Sequence, residues 1–188
     1  VWLNDSSVVG LSEIDRLYAQ FTKGDWEVTI GRQRINWGMN LVWNPNDIFN
    51  TFSYFDFEYE ERPGTDAIRV KYYTSLTGSA ELVYKAGEEI DEMAFAGLYR
   101  FNKWSYDFQF FAGFMGEDYV VGTGYAGNIK GAAFRGEFSY FKPRQVFTET
   151  NFKRGVLIGS ISGDYTFSNT LYIHGGLLYN TTGARGKA

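Results

Sequence analysis

An all-β fold of antiparallel strands is predicted by three features of this 188-residue chain. Apolar and polar residues alternate with a period of two, aromatic residues and glycine are abundant, and the connections between alternating stretches differ in length. The 14 Tyr, 17 Phe and 5 Trp make 19% of the chain and stand beside 22 Gly and only 3 Pro, a mixture that suits strands and turns better than helices. The length is that of a single domain over 1–188. With no Cys and one His there is no disulfide, no thiolate metal site and little imidazole chemistry, so neither a cofactor nor a metal is expected. A formal net charge of −4 without a basic stripe argues against nucleic acid as a partner.

Taken in chain order, about ten strands are expected, near residues 14–23, 26–34, 66–74, 80–86, 92–101, 104–113, 118–126, 131–141, 155–167 and 170–179. In the second, Trp26, Val28 and Ile30 oppose Glu27 and Thr29. In the third, Ile68, Val70 and Tyr72 fall on one face and Arg69, Lys71 and Tyr73 on the other. The sixth sets Trp104, Tyr106, Phe108 and Phe110 against Ser105, Asp107 and Gln109. The eighth sets Ala132, Phe134, Phe138 and Tyr140 against Arg135, Glu137 and Ser139. The seventh, DYVVGTGYA, has adjacent Val120 and Val121 among glycines, and its faces stay unassigned.

Tight turns are expected at Lys23-Gly24-Asp25, around Leu76-Thr77-Gly78, at Asn102-Lys103, at Gly127-Asn128-Ile129-Lys130 and at Ser168-Asn169. Longer segments lie between them, over 35–65, 87–91, 114–117 and 142–154. Short turns on one rim and long loops on the other describe a membrane barrel with its short side in the periplasm. Tyr72, Tyr73, Tyr99, Phe101, Trp104, Tyr106, Tyr165, Phe167 and Tyr172 crowd the short turns, as an interfacial girdle would. No run reaches the ~18 apolar residues of a spanning helix, so a membrane crossing must rest on strands. These features favour an antiparallel transmembrane β-barrel over a soluble sandwich, whose strands alternate equally well. The first strand would start and the last would end on the outer side, so the chain reads as a section of a larger barrel, incomplete at both ends. The start, VWLNDSSVVG, lacks a signal peptide's basic and apolar regions, which fits a mature chain or a fragment.

The segment 35–65 carries the heaviest aromatic load. Gly31-Arg32-Gln33-Arg34, Trp37-Gly38 and Trp43-Asn44-Pro45-Asn46-Asp47-Ile48-Phe49-Asn50 together resemble porin-like outer-membrane barrels of Gram-negative bacteria, the alginate-export and phosphate-selective groups among them. The resemblance covers about twenty residues and is architectural elsewhere. It implies location in the cell outer membrane, contact with its lipids including lipopolysaccharide, and a channel rather than an enzyme. Asn44 before Pro45 reads as an N-cap with proline at the first helical position, which predicts a short helical turn. The rings of Trp37, Trp43, Phe49, Phe52, Tyr54, Phe55, Phe57 and Tyr59 either fold over or into the extracellular mouth or extend two strands above the membrane as a tall hairpin. The alternation over 51–60 favours the hairpin.

Candidate pore-lining residues on the polar face are Arg69, Lys71, Lys85, Arg100, Asp107, Gln109, Arg135 and Glu137, of mixed sign as cross-strand ion pairs require. Gln109 is expected to meet water, so that Gln109→Arg should cost little. Candidates for the mouth or constriction are Arg32, Arg34, Trp37, Trp43 and Asp47. Arg32 and Arg34 share parity with Ile30, so they lie at the rim or are turned inward by a bulge at Gly31. At the rim they meet lipid phosphates or pair with Asp47, Asp56 or Glu58. His174 has no Ser or acid partner marked by the sequence, and Glu88-Glu89 with Asp91-Glu92 lack calcium-loop spacing, so a structural histidine and a solvated turn are the expectations. The expected function is a channel for small polar or anionic solutes. The alternatives are a barrel without transport activity within a larger assembly of envelope proteins and a soluble carbohydrate-binding sandwich.

Overall fold

The computed structural model describes residues 3–5, 8–10, 14–49, 64–144 and 154–182. A hairpin of β1 (Leu3–Asp5) and β2 (Val8–Gly10), which periodicity does not foretell, precedes one ten-stranded antiparallel sheet. Its strands are β3 (Leu17–Lys23), β4 (Trp26–Gln33), β5 (Thr65–Tyr73), β6 (Ser79–Lys85), β7 (Ala94–Lys103), β8 (Tyr106–Met115), β9 (Asp118–Ile129), β10 (Ala132–Pro143), β11 (Val156–Thr166) and β12 (Tyr172–Asn180). Each pairs with its neighbour in sequence, so the sheet is an uninterrupted meander from β3 to β12. The ten expected strands are the ten observed. The sheet is open: among the described residues β3 and β12 have one neighbour each, and the expected barrel is not closed.

The connections differ from expectation in three places. The turn expected at Asn102-Lys103 lies at Trp104-Ser105, both with positive φ (56° and 62°), and the one expected over 127–130 is Lys130-Gly131 (51° and 89°). Two successive positive φ values give a hairpin turn whose twist matches its strands, so the strands run two or three residues further than turn-forming residue types suggest. The segment 114–117, expected to be long, is a two-residue turn at Gly116-Glu117, with φ of 57° at Gly116. The acidic loop after β6 holds a single 3-10 turn, Ile90–Glu92, closed by Met93 N–H donating to the Ile90 carbonyl.

The two faces of the sheet are chemically opposite. The outer face carries Leu17 and Phe21 (β3), Ile68 and Tyr72 (β5), Tyr99 (β7), Phe110 and Phe114 (β8), Phe134, Phe138 and Tyr140 (β10), and Ile173, Leu177 and Tyr179 (β12), all exposed. Along β8 it runs Tyr106, Phe108, Phe110, Ala112, Phe114 without a charge. Eight residue steps at ~3.4 Å, if tilted by the ~40° usual in membrane barrels, would rise about 21 Å, against the ~25 Å apolar band of such barrels. Charges on this face stand only near strand ends: Lys23 and Lys103 by the short turns, Arg32, Asp66 and Lys142 by the opposite rim. The phase of β9, left unassigned by the sequence, is resolved by burial: Val120 is buried and faces inward, Val121 is exposed and faces outward. Ring pairs mark both rims, Trp26–Tyr72 at 4.7 Å and Tyr165–Phe167 at 4.7 Å by the short turns, Phe114–Tyr119 at 5.2 Å by the other.

Gly31 does not form a bulge. Register runs unbroken through it on both sides, Tyr18 to Gly31 and Gly31 to Ala67, so Arg32 keeps the parity of Ile30. Its φ is +119°, and a Cβ there would stand 2.4 Å from the Leu17 carbonyl oxygen, so close approach of the two backbones requires glycine.

Candidate functional site

The inner face is covered by the chain's own segment 35–49, which leaves the end of β4, crosses the sheet to β11 and β12 and returns to β5. Its root is apolar. Ile35, Trp37, Ile48 and Phe49 are buried against Ala67, Val83, Ala94, Ala96, Leu98, Phe111 and Val120. The Trp37 ring meets Phe49 edge-on at 4.8 Å and Phe111 at 5.5 Å, and its Nε1–H donates to the Glu81 carboxylate at 3.4 Å. Gln109 Nε2 donates to the Trp37 carbonyl at 2.7 Å, and Thr65 Oγ1 donates to that of Phe49 at 3.2 Å. Each large side chain so buried contributes about 1.5–3 kcal/mol. This half of the inner face, toward the rim of the long segment, is therefore a small core.

Beyond the root, residues 38–46 form a tip that folds back on itself. A Cβ on Gly38 would lie 2.5 Å from the Asn44 side chain, so the two limbs of the tip touch. Asn40 Nδ2 donates to Ser160 Oγ at 2.5 Å and its Oδ1 accepts from Ser162 Oγ at 2.6 Å. Ser160 Oγ donates to the Trp43 carbonyl at 2.9 Å. Ser139 Oγ reaches Asn46 Oδ1 at 2.8 Å, and Asn46 Nδ2 donates to the Thr123 carbonyl at 3.0 Å. Glu137, fully buried, accepts backbone N–H bonds from Met39, from Asn40 at 2.6 Å and from Asn46 at 3.1 Å. The helical turn expected after Asn44 is a reverse turn, Asp47 N–H donating to the Asn44 carbonyl at 3.0 Å, followed by Ile48 N–H donating to the Asn46 carbonyl at 3.0 Å. The Asn46 N–H that a helix would leave for its cap goes to Glu137 instead.

Toward the short-turn rim the inner face is charged and largely self-paired. Arg69 meets Glu27 at 2.9 Å, Lys71 meets Glu81 at 3.5 Å, and Arg135 is hydrogen-bonded to Asp164. Arg100 Nε donates to Gln109 Oε1 at 3.2 Å, and Asp107 accepts from Asn102 at 2.8 Å. A cleft of about 310 Å³ under the tip is lined by Asn36, Gly38, Met39, Arg100 and Asp107 among others. A second, of about 140 Å³ near the β3 edge, brings together Arg16, Arg34 and Arg69 with Thr29 and Gln33.

All eight residues expected on the polar face lie there, but not in one environment. Arg69, Lys71, Arg100, Asp107 and Arg135 belong to the charged half, and Lys85 closes the inner row of β6 at the opposite rim. Gln109 and Glu137 are completely buried beneath the segment, so the expectation that Gln109 meets water is corrected. Of the mouth candidates, Trp37 is the centre of the root, Asp47 is buried in the returning limb, and Trp43 reaches β12, where a Cβ on Gly176 would lie 3.5 Å from its ring. Arg32 lies on the outer face, joined by two hydrogen bonds, at 3.1 and 2.8 Å, to Asp66 rather than to Asp47. Asp56 and Glu58, with the ring-bearing stretch 50–63, fall outside the described residues. His174 stands opposite Asp164, which Arg135 already engages. Among the described residues no three His, Cys, Asp or Glu side chains are grouped to hold a metal ion.

Sequence reasoning gave no site role to Asn40, Asn46, Ser139, Ser160 and Ser162, although Ser139 was placed on the polar face and Asn46 in the Asn44-Pro45 motif. A signal for them existed in the small inner-facing residues of three adjacent strands: Gly122 and Gly124, then Ser139, then Ser160 and Ser162, which hollow a track across the polar face. A Cβ on Gly124 would stand 2.9 Å from Met39 Sδ and 3.0 Å from Asn46 Nδ2. Comparisons of the chain with protein-family models, with curated proteins and with solved structures gave no match, so this site is read from its own geometry.

Proposed function

We propose that the chain forms part of the wall of an outer-membrane β-barrel channel of a Gram-negative bacterium, and that segment 35–49 narrows its passage for small polar or anionic solutes. The observation that carries this reading is the inversion of the two faces. The apolar face is uncovered along its whole width, while the polar face is the one that the chain covers with its own loop. A soluble carbohydrate-binding sandwich would bury the apolar face against a second sheet. In lipid the N–H and C=O groups on the edges of β3 and β12 that have no strand neighbour among the described residues would cost several kcal/mol each, which supports a section of a larger barrel. Direct closure of ten strands is the weaker solution: about eight strands leave room only for side chains, and this segment passes out and back across the inner face.

The solute class rests on inner-face guanidinium groups: Arg16 and Arg34 share with Arg69 a cleft at the β3 edge that extends to the long-segment rim, and Arg100 lines the space under the tip. At the opposite rim, Arg32, Lys142 and Arg144 stand where the phosphates of outer-membrane lipids, lipopolysaccharide included, would be met. The deciding experiment is single-channel recording of the protein in a planar bilayer, with and without replacement of residues 38–46 by a short Gly-Ser linker. Conduction that rises on replacement is expected. A folded barrel that does not conduct in either form would replace the channel with the non-transporting assembly subunit.

A further inference from the structure

We infer that Glu137 is the positioning residue of a separately releasable flap, residues 39–46, and so fixes the width of the passage; this rests on the channel reading above. The segment has two parts held by different forces. Its root is fixed by apolar burial around Trp37 and Phe49. Its tip is less firmly anchored by apolar contact: Leu41 and Val42 are 56% and 42% exposed, Met39 and Trp43 are only half-buried, and most of the contacts that hold it are polar. Among the described residues, Glu137 is the one that binds both limbs, one carboxylate oxygen receiving the N–H groups of Met39 and Asn40 on the way out and the other that of Asn46 on the way back. Charge-assisted bonds of this kind are about twice as strong as neutral ones. The Ser160 and Ser162 hydroxyls hold only Asn40 and the Trp43 carbonyl, that is, the outgoing limb and the bend. Two limbs pinned at one carboxylate make a closed loop, and removing that charge loosens both at once, leaving the neutral bonds of Asn40 to Ser160 and Ser162 and of Asn46 to Ser139 and the Thr123 carbonyl, while the root stays packed.

The test uses the whole protein in detergent and in bilayers. Thiol-labelling rates are read at Met39→Cys in the flap and Ile48→Cys in the root, each with Glu137 intact and with Glu137→Gln. Labelling of Met39→Cys is expected to rise roughly tenfold or more as carboxylate bonds give way to neutral ones. Ile48→Cys should stay unreactive, and Glu137→Asp should restore part of the protection. Arg135→Gln, on the same strand and face, is the control and should leave Met39→Cys as it was. Hydrogen exchange on the unmodified protein tests the same point without relying on a variant that folds: the amides of Met39, Asn40 and Asn46 should exchange more slowly than those of Leu41 and Val42. Equal exchange at all five amides, no change in labelling with Glu137→Gln, or an equal change with Arg135→Gln would overturn the inference. Increased labelling in a protein that never conducts would keep the flap and remove the channel.

Discussion

Residues 108 and 109 of β8 are neighbours in sequence and face different surroundings. Phe108 belongs to the uncharged outer row, so Phe108→Arg should destabilise the protein in lipid by roughly 2–4 kcal/mol, read from denaturant titration in vesicles. The same substitution at Gln109 is not benign either, because its amide is buried and serves both the Trp37 carbonyl and Arg100 Nε. Gln109→Ala would strand the Trp37 carbonyl and should cost about 1–3 kcal/mol. What separates the two sites is the solvent dependence: in a detergent that tolerates polar surface the Phe108→Arg penalty should shrink, while the Gln109→Ala penalty should not. At Gly124 the argument is one of space. Gly124→Val would press on Asn46 Nδ2, which a Cβ there already meets at 3.0 Å, so labelling of Met39→Cys should increase with unchanged strand content by circular dichroism. Unchanged labelling would mean that the flap adapts around the new side chain.

At the scale of elements, strand positions and faces were legible because a period of two is written in each strand: Ile30, Ile68, Phe110 and Phe138 are exposed, while Thr29, Gln109, Glu137 and Ser139 are buried. The turns were less legible because residue type misleads where tertiary pairing imposes the conformation. Trp104 and Ser105 are poor choices for two successive positive φ values, yet the β7–β8 register holds them there. Ser105→Gly should therefore stabilise the hairpin by about 1 kcal/mol, measured as a shift in denaturation midpoint. Trp104 is different: it is exposed and lies under Lys103 Nζ at 4.4 Å from the ring centre, a placement that suits an interface anchor. For segment 35–49, folding inward was one of the two courses expected from its rings, but its path across to β11 and β12 is not written in its own residues. Glu137 reads in sequence as one more charge on a water-lined wall, and only the small residues of β9 and β11 hint that a chain lies over it.

For the whole molecule the expected outcome is a polypeptide that needs detergent to stay dispersed and whose circular dichroism is strand-dominated. A stable monomer without detergent would end the membrane reading, since the outer face would then stand bare in water. The open edges β3 and β12 belong to this scale too, because no residue pattern within a strand says what lies beside the first and the last. The division of the inner face into an apolar half under the segment's root and an ionic half by the short turns has its own electrical consequence. In the proposed channel the four cations of that half, Arg69, Lys71, Arg100 and Arg135, are cancelled by Glu27, Glu81, Asp107 and Asp164, so it carries no net fixed charge. Asp164→Asn would leave Arg135 uncompensated on one side of the constriction and raise the local counter-ion concentration on that side alone. The current should then rectify where that of the unmodified protein does not, with an asymmetry that fades as bath salt rises and the fixed charge is screened over shorter distances.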